Sequence, residues 1–200
     1  MKKKPDEVYQ FKITLSGSKP PIWRRILVPS NYSFSDLHVA IQDSMGWLDY
    51  HLHAFEMKNP ATGFNVEIGI PNEEYEAFDR KVLHEHKIKI SKYFNKDNNT
   101  ARYEYDFGDS WIHKIRLEKI IPAVAGEKYP KCTAGKMACP PEDCGGIYGY
   151  YHMLSILSDP GNEEYEEISE WIDEGFDPVL FVPEDVFFSD PTAQQEPLSE

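Results

Sequence analysis

The chain has 200 residues, of which 40% are hydrophobic and 14% aromatic, and it carries a formal net charge of −13. That is room for one ordinary domain with a continuous core, too many bulky rings for a disordered polymer, and a global field that repels duplex nucleic acid in the absence of a local basic face. Apolar runs stay far below the roughly 20 residues that cross a bilayer and no hydrophobic leader follows Lys2–Lys4, so a cytoplasmic protein is expected, whose three cysteines read as reduced thiols or metal ligands.

Residues 1–7 are predicted to fray. Over 8–15, Tyr9, Phe11, Ile13 and Leu15 alternate with Gln10, Lys12 and Thr14, the period-two signature of a half-buried strand. After a turn at 16–18, residues 22–28 have the same character and end at Pro29, so the two segments read as a hairpin or adjacent strands. A helix follows: Ser33 or Ser35 caps it, Asp36 sits in its first turn, Leu37, Ala40, Ile41, Ser44 and Met45 mark one face, and Gly46 ends it. Trp47 then covers the core at the helix exit.

Residues 51–57 alternate in strand fashion and lead through the 59–63 turn into 64–70, a second hairpin. The acidic stretch 72–79 reads as an exposed loop, and 87–94 as a strand end with one helical turn. In 102–107, Tyr103, Tyr105 and Phe107 share a face, and the Gly108-Asp109-Ser110 turn leads to a strand over 111–120, the clearest hairpin of the chain. Residues 121–146 show no periodicity and read as a long loop of the kind that is functional, disordered or pinned. Two helices follow, 147–157 and 163–174, the second with Tyr165, Ile168, Trp171 and Ile172 on one stripe. Residues 176–188 return to the core and 189–200 form a tail expected to fray. The sum is one α+β domain over 8–188, a largely antiparallel sheet built from hairpins and covered by helices, with a β-grasp-like start.

The segment 103–146 concentrates aromatic residues, carboxylates, a histidine and all three cysteines. Cys132, Cys139 and Cys144, with six and four residues between them, are candidate zinc ligands, a fourth coming from His113, His51, His53 or His152; partly buried free thiols are the bland reading. With Asp109-Ser110 as a two-residue loop, Asp106 lies across from His113 next to Trp111, a carboxylate–imidazole pair suited to acid–base work and equally to a structural contact. The bland reading there is a turn in which Gly108 supplies a positive φ and Asp109 bonds the turn's own backbone.

His51 and His53 fall on one side of a strand, as paired metal ligands do; surface or core-edge histidines explain them as well. Trp23-Arg24-Arg25 offers a stacking plane and two guanidinium forks for a carboxylate or phosphate. The favoured explanation is internal, with Arg24 or Arg25 pairing with Glu142 and Asp143 to rigidify the long loop.

Five blocks in order, Pro21-Ile22-Trp23-Arg24-Arg25, Met45-Gly46-Trp47, His51-Leu52-His53-Ala54-Phe55, the run from Tyr105 to His113, and Pro140-Pro141-Glu142-Asp143-Cys144-Gly145-Gly146, resemble the plasmid pRiA ORF-three-like family over residues 8–187. The resemblance implies an intracellular prokaryotic α+β protein from a family found on plasmids, in mobile elements and in chromosomes, without an established biochemical activity. Some members carry a resolvase-like label, which these residues do not support: a serine resolvase needs an activated serine among arginines and a basic helix-turn-helix.

The resulting expectation is a soluble binding or interaction module for a protein or small-molecule partner, accessory to mobile elements if the resemblance extends that far. Its working surface lies near 105–113 and 130–146, with Asp106, Asp109, Trp111, His113, Glu142 and Asp143 as candidate binding residues beside Trp23, Arg24, Arg25, His51 and His53; no catalytic residue is assigned, and neither nonspecific nucleic-acid binding nor membrane insertion is expected. The alternative is a hydrolase-type enzyme, metal-assisted through the Cys/His group or using the Asp106/His113 pair.

Overall fold

The computed structural model describes residues 6–71, 81–172 and 175–191. The acidic loop expected at 72–79 and most of both tails lie outside the described residues. In chain order the elements are β1 (Glu7–Leu15), β2 (Trp23–Pro29), α1 (Phe34–Met45), β3 (His53–Lys58), β4 (Asn65–Gly69), β5 (Val82–His84), β6 (Thr100–Tyr105), β7 (Trp111–Pro122), β8 (Lys131–Lys136), α2 (Gly146–Leu157) and α3 (Tyr165–Trp171), with short 3-10 turns at Glu85–Lys87, Ile90–Lys92 and Pro183–Asp185.

The strands form one eight-stranded sheet in the order β5-β4-β3-β6-β7-β1-β2-β8. Every pairing is antiparallel except β4 with β5. The fold is therefore α+β, with the hairpin-built sheet that the alternation predicts.

Alternation decides what is buried. Phe11, Ile13, Ile26, Val28, Phe55, Tyr103, Tyr105, Trp111 and Ile115 join Phe34, Leu37, Ala40, Ile41 and Met45 of α1 in one core, while Gln10, Lys12 and Thr14 of β1 stay half-exposed. Aromatic contacts bind this core, with Phe55 and Tyr103 tilted against each other at 4.8 Å and Trp47 stacked on Tyr105 at 5.1 Å. The helix starts where its cap dictates: Ser33 Oγ accepts from the Asp36 N–H at 3.1 Å, and the Asp36 carboxylate accepts from the Ser33 N–H at 2.7 Å, a reciprocal capping box. It ends at Gly46, whose φ of 91° is the left-handed stop that glycine tolerates. Among the described residues no helix is long and apolar enough to cross a membrane.

Several boundaries differ from the sequence expectation. Glu7, assigned to the N-terminal tail, pairs with Pro122, and Ser189, assigned to the C-terminal one, donates from its N–H to Asp43 at 3.0 Å. The stretch 121–146 is not a structureless loop, because β8 pairs with β2 at the sheet edge. Its small residues hide the pattern: Gly135 receives the Phe181 ring so closely that a Cβ there would sit 2.2 Å from Phe181 Cε1. The α3 helix is shorter than predicted and buries none of its residues.

The β6–β7 connection is also longer than two residues. Tyr105 pairs with Trp111 and Tyr103 with His113, so the loop is 106–110 and Asp106 is not opposite His113. The left-handed residues in it are Asp106 and Ser110, each at φ 54°, rather than Gly108. Asp106 Oδ1 makes the local turn by accepting from the Gly108 N–H at 2.9 Å, while Asp109 reaches away to the Gly145 N–H at 3.1 Å.

Candidate functional site

Between α1 and β3 the chain runs as Trp47-Leu48-Asp49-Tyr50-His51-Leu52-His53, and its burial alternates strictly: the odd positions turn inward and the even ones outward. Leu48, Tyr50 and Leu52 are 64%, 73% and 50% exposed. Each inward side chain finds a partner on a different element. The Trp47 indole N–H donates to the Pro140 carbonyl at 2.9 Å, Asp49 Oδ1 meets His38 Nε2 of α1 at 2.8 Å, and His53 Nε2 meets Glu85 Oε2 at 2.6 Å. His51 Nε2 lies 3.0 Å from Asp143 Oδ1 and 3.8 Å from Asp106 Oδ2, close enough for charge pairing but off the line of a hydrogen bond.

Backbone groups of the same segment are held as well. The Leu48 N–H donates to Glu142 Oε2 at 2.9 Å, the Tyr50 N–H to Tyr105 Oη at 3.0 Å, and the Asp106 N–H to the Leu52 carbonyl at 2.9 Å. The Tyr105 hydroxyl in turn donates to Glu142 Oε1, so one carboxylate ties the segment, the aromatic hairpin and the turn after Pro140 together. Gly146, at φ 67°, lies against the hairpin turn where a Cβ would come 2.4 Å from the Asp109 carbonyl oxygen. Three segments, 47–53, 106–110 and 140–146, thus form one built face.

Behind that face is a second constellation. The His38 and His53 rings stack at 3.4 Å between centroids and 4° from parallel. His38 Nδ1 meets Tyr103 Oη at 2.8 Å, and the Gln42 side-chain amide donates to the same hydroxyl at 2.9 Å. A cleft of about 340 Å³ opens on this group, lined among others by Tyr50, His51, Leu52 and His86. Burial, and then the neighbouring His53 ring, push the His38 imidazole below its ordinary value despite Asp49. Burial raises the Glu85 carboxyl, but the His53 hydrogen bond and charge outweigh it and hold the carboxyl below the usual range.

The remaining predicted residues go elsewhere. Strand alternation splits Trp23-Arg24-Arg25 across the sheet. Arg24 enters the core, where Nε donates to the Ser44 carbonyl at 2.8 Å and Nη1 to those of Met137 at 2.9 Å, Trp23 at 3.0 Å and Lys136 at 3.2 Å, with Phe181 stacked on the guanidinium at 3.7 Å. Arg25, on the outer face beside Trp23, forks onto Glu118 at 2.6 and 3.1 Å. The expected pairing of Arg24 or Arg25 with Glu142 and Asp143 does not form, because those acids are taken by the 47–53 segment.

His113 and Trp111, both expected on the working surface, are instead buried in the core; His113 Nδ1 donates to the Trp111 carbonyl at 3.0 Å, and among the described residues its Nε2 has no hydrogen-bond partner. Burial lowers the His113 imidazole to about 3, so it is a neutral core residue rather than one half of a pair with Asp106, which the register does not place opposite it. Among the described residues, two groups bring three ligand atoms within 4.8 Å of one another, His38/Asp49/His53 and His51/Asp106/Asp143. Neither contains a cysteine, so Cys132, Cys139, Cys144 and His113 do not gather as a zinc quartet. Burial pushes the Cys139 and Cys144 thiols up to about 12, which keeps them protonated. Neither constellation invoked for a hydrolase is assembled.

Sequence reasoning missed His38, Asp49, Glu85, Gln42 and Tyr103. One signal was available: His38 and Gln42 stand four residues apart on a helix that otherwise reads as apolar on that side, the spacing that puts two side chains over one spot.

The chain is similar to uncharacterised protein y4hQ of Sinorhizobium fredii, at 35% identity over 164 residues covering 82% of this chain and 80% of that one. It is also similar to MM3350, a protein of unknown function from Methanosarcina mazei Go1, whose crystal structure superposes with a TM-score of 0.86 at 50% identity, covering 92% of this chain and 99% of that one. The family model of the plasmid pRiA4b ORF-3-like proteins matches residues 7–185, which span all eight strands and all three helices, and the chain belongs to that family.

Proposed function

We propose that the protein is a binding module whose recognition face is built from 47–53, 106–110 and 140–146. The observation that carries this reading is the immobilised display of apolar side chains. Leu48, Tyr50 and Leu52, with Phe107 at 41% exposure on the adjoining turn, stand in water on a backbone whose N–H and carbonyl groups are tied to Tyr105, Glu142 and Asp106. Exposed large apolar groups on a loop cost solubility, and a rigid presentation lowers the ordering entropy paid on association. The chemistry that fits is a partner with apolar side chains around a polar centre, facing the His51, Asp106 and Asp143 group.

A photo-crosslinking residue at position 50, compared in cells with one at Tyr148, equally apolar and 88% exposed on α2, tests the reading. The expected result is a discrete adduct at position 50 that disappears when Leu48 and Leu52 are both replaced by Ser. Labelling at 50 that is no stronger than at 148, or that survives the double replacement, would refute it.

A further inference from the structure

We propose that His38, Asp49 and His53 bind a divalent first-row transition cation, with Glu85 and Tyr103 orienting the two imidazoles. The three side chains come from α1, the 47–53 segment and β3, and their ligand atoms lie within 4.8 Å of one another. Ligands about 2.1 Å from a tetrahedral ion stand roughly 3.4 Å apart; because the His38 and His53 planes lie parallel, binding requires the two rings to splay apart until both lone pairs converge, with the partly exposed Asp49 side chain swinging in to complete the set. Two imidazoles and one carboxylate suit zinc, cobalt, nickel or iron, and leave coordination positions toward the cleft lined by Tyr50 and His86.

The outer partners are those that orient metal-bound histidines. His53 shares its Nε2 proton with the buried Glu85 carboxylate at 2.6 Å, which makes Nδ1 the ligating nitrogen. His38 now donates from Nε2 to Asp49 and accepts at Nδ1 from the Tyr103 hydroxyl. Ligation through Nε2 moves that proton to Nδ1, which then donates to Tyr103 Oη, and the Tyr103 hydroxyl turns toward Gln42. The Gln42 amide already leaves Oε1 without a partner, so turning it over to accept from Tyr103 loses no hydrogen bond. Packing alone does not account for two stacked imidazoles and a buried carboxylate, since each is costly to desolvate and apolar rings fill such volume without that cost.

The neighbouring group His51/Asp106/Asp143 is the weaker candidate. It has one imidazole, an Asp143 side chain that is 66% exposed, and an Asp106 Oδ2 that stands 3.8 Å from His51 Nε2.

The test uses the full chain, stripped with a chelator and titrated with Co2+, read by its ligand-field absorption, and with Zn2+, read by calorimetry. Wild type is expected to take up one ion per chain, Asp49→Asn and His53→Gln each to weaken uptake by about tenfold or more, and His51→Gln to leave uptake and spectrum unchanged. Asp49, with its side chain only 27% exposed but at the cleft edge, gives a variant that keeps the fold, checked by circular dichroism, should the histidine variant fail to. No stoichiometric uptake by wild type, uptake indifferent to Asp49→Asn, or uptake lost with His51→Gln overturns the proposal.

Discussion

Two sets of buried imidazoles share the aromatic core and are treated in opposite ways. His113, on β7, has the Trp47 and Tyr103 rings about it, a backbone carbonyl on one nitrogen and, among the described residues, no hydrogen-bond partner on the other. His38 and His53, near the edge of the same core, are paired with Asp49, Glu85 and the Tyr103 hydroxyl. Both sets are buried, so burial alone does not distinguish them; the carboxylates and the adjoining cleft do. An imidazole without a counter-charge in such a place is packing material, whereas imidazoles met by two acids at a cleft form a polar constellation available for chemistry.

Acidification should break the first set most severely. Burial holds His113 neutral down to about 3, while the unfolded chain takes its proton near 6.5. Between those values the unfolded state binds more protons, so stability falls as pH falls, by about 1.4 kcal/mol per pH unit. Urea denaturation should therefore show a His113 contribution of about 3 kcal/mol lost between pH 6.5 and 4, read as the gap between wild type and His113→Phe; parallel curves for the two proteins would show that His113 is not the cause.

The second set answers to its acids instead. Glu85→Gln replaces a charged acceptor at 2.6 Å from His53 and is expected to cost about 2 kcal/mol at neutral pH in the same measurement. The smallest effect is expected at Asp49, whose partly exposed side chain pairs with His38: Asp49→Asn should change stability by less than about 1 kcal/mol. A small loss of stability together with a large loss of Co2+ uptake would separate the metal role of this residue from a structural one.

What could be read in advance follows from local physics. The strands of β1 and β2, the capping box of α1 and its glycine stop all declare themselves within a few residues. The same alternation rule, applied to β2, already places Arg24 on the opposite side from Trp23 and Arg25, which the notion of a joint arginine fork overlooked. The β6–β7 turn differs from the expected one because aspartate and serine, rather than the glycine, adopt the left-handed conformation there. The edge strand β8 carried no pattern because Gly135 faces a ring from 46 residues further along the chain.

The amino-acid sequence by itself determined the α+β class, the sheet built from hairpins, the buried helix and the family, since these rest on periodicity, caps and an ordered succession of motifs. Only the tertiary structure decided which polar groups meet. His38, Asp49, His53 and Glu85 come together because α1 packs across β3 and a 3-10 turn closes over it, and no local rule links side chains brought to one place by the packing of separate elements.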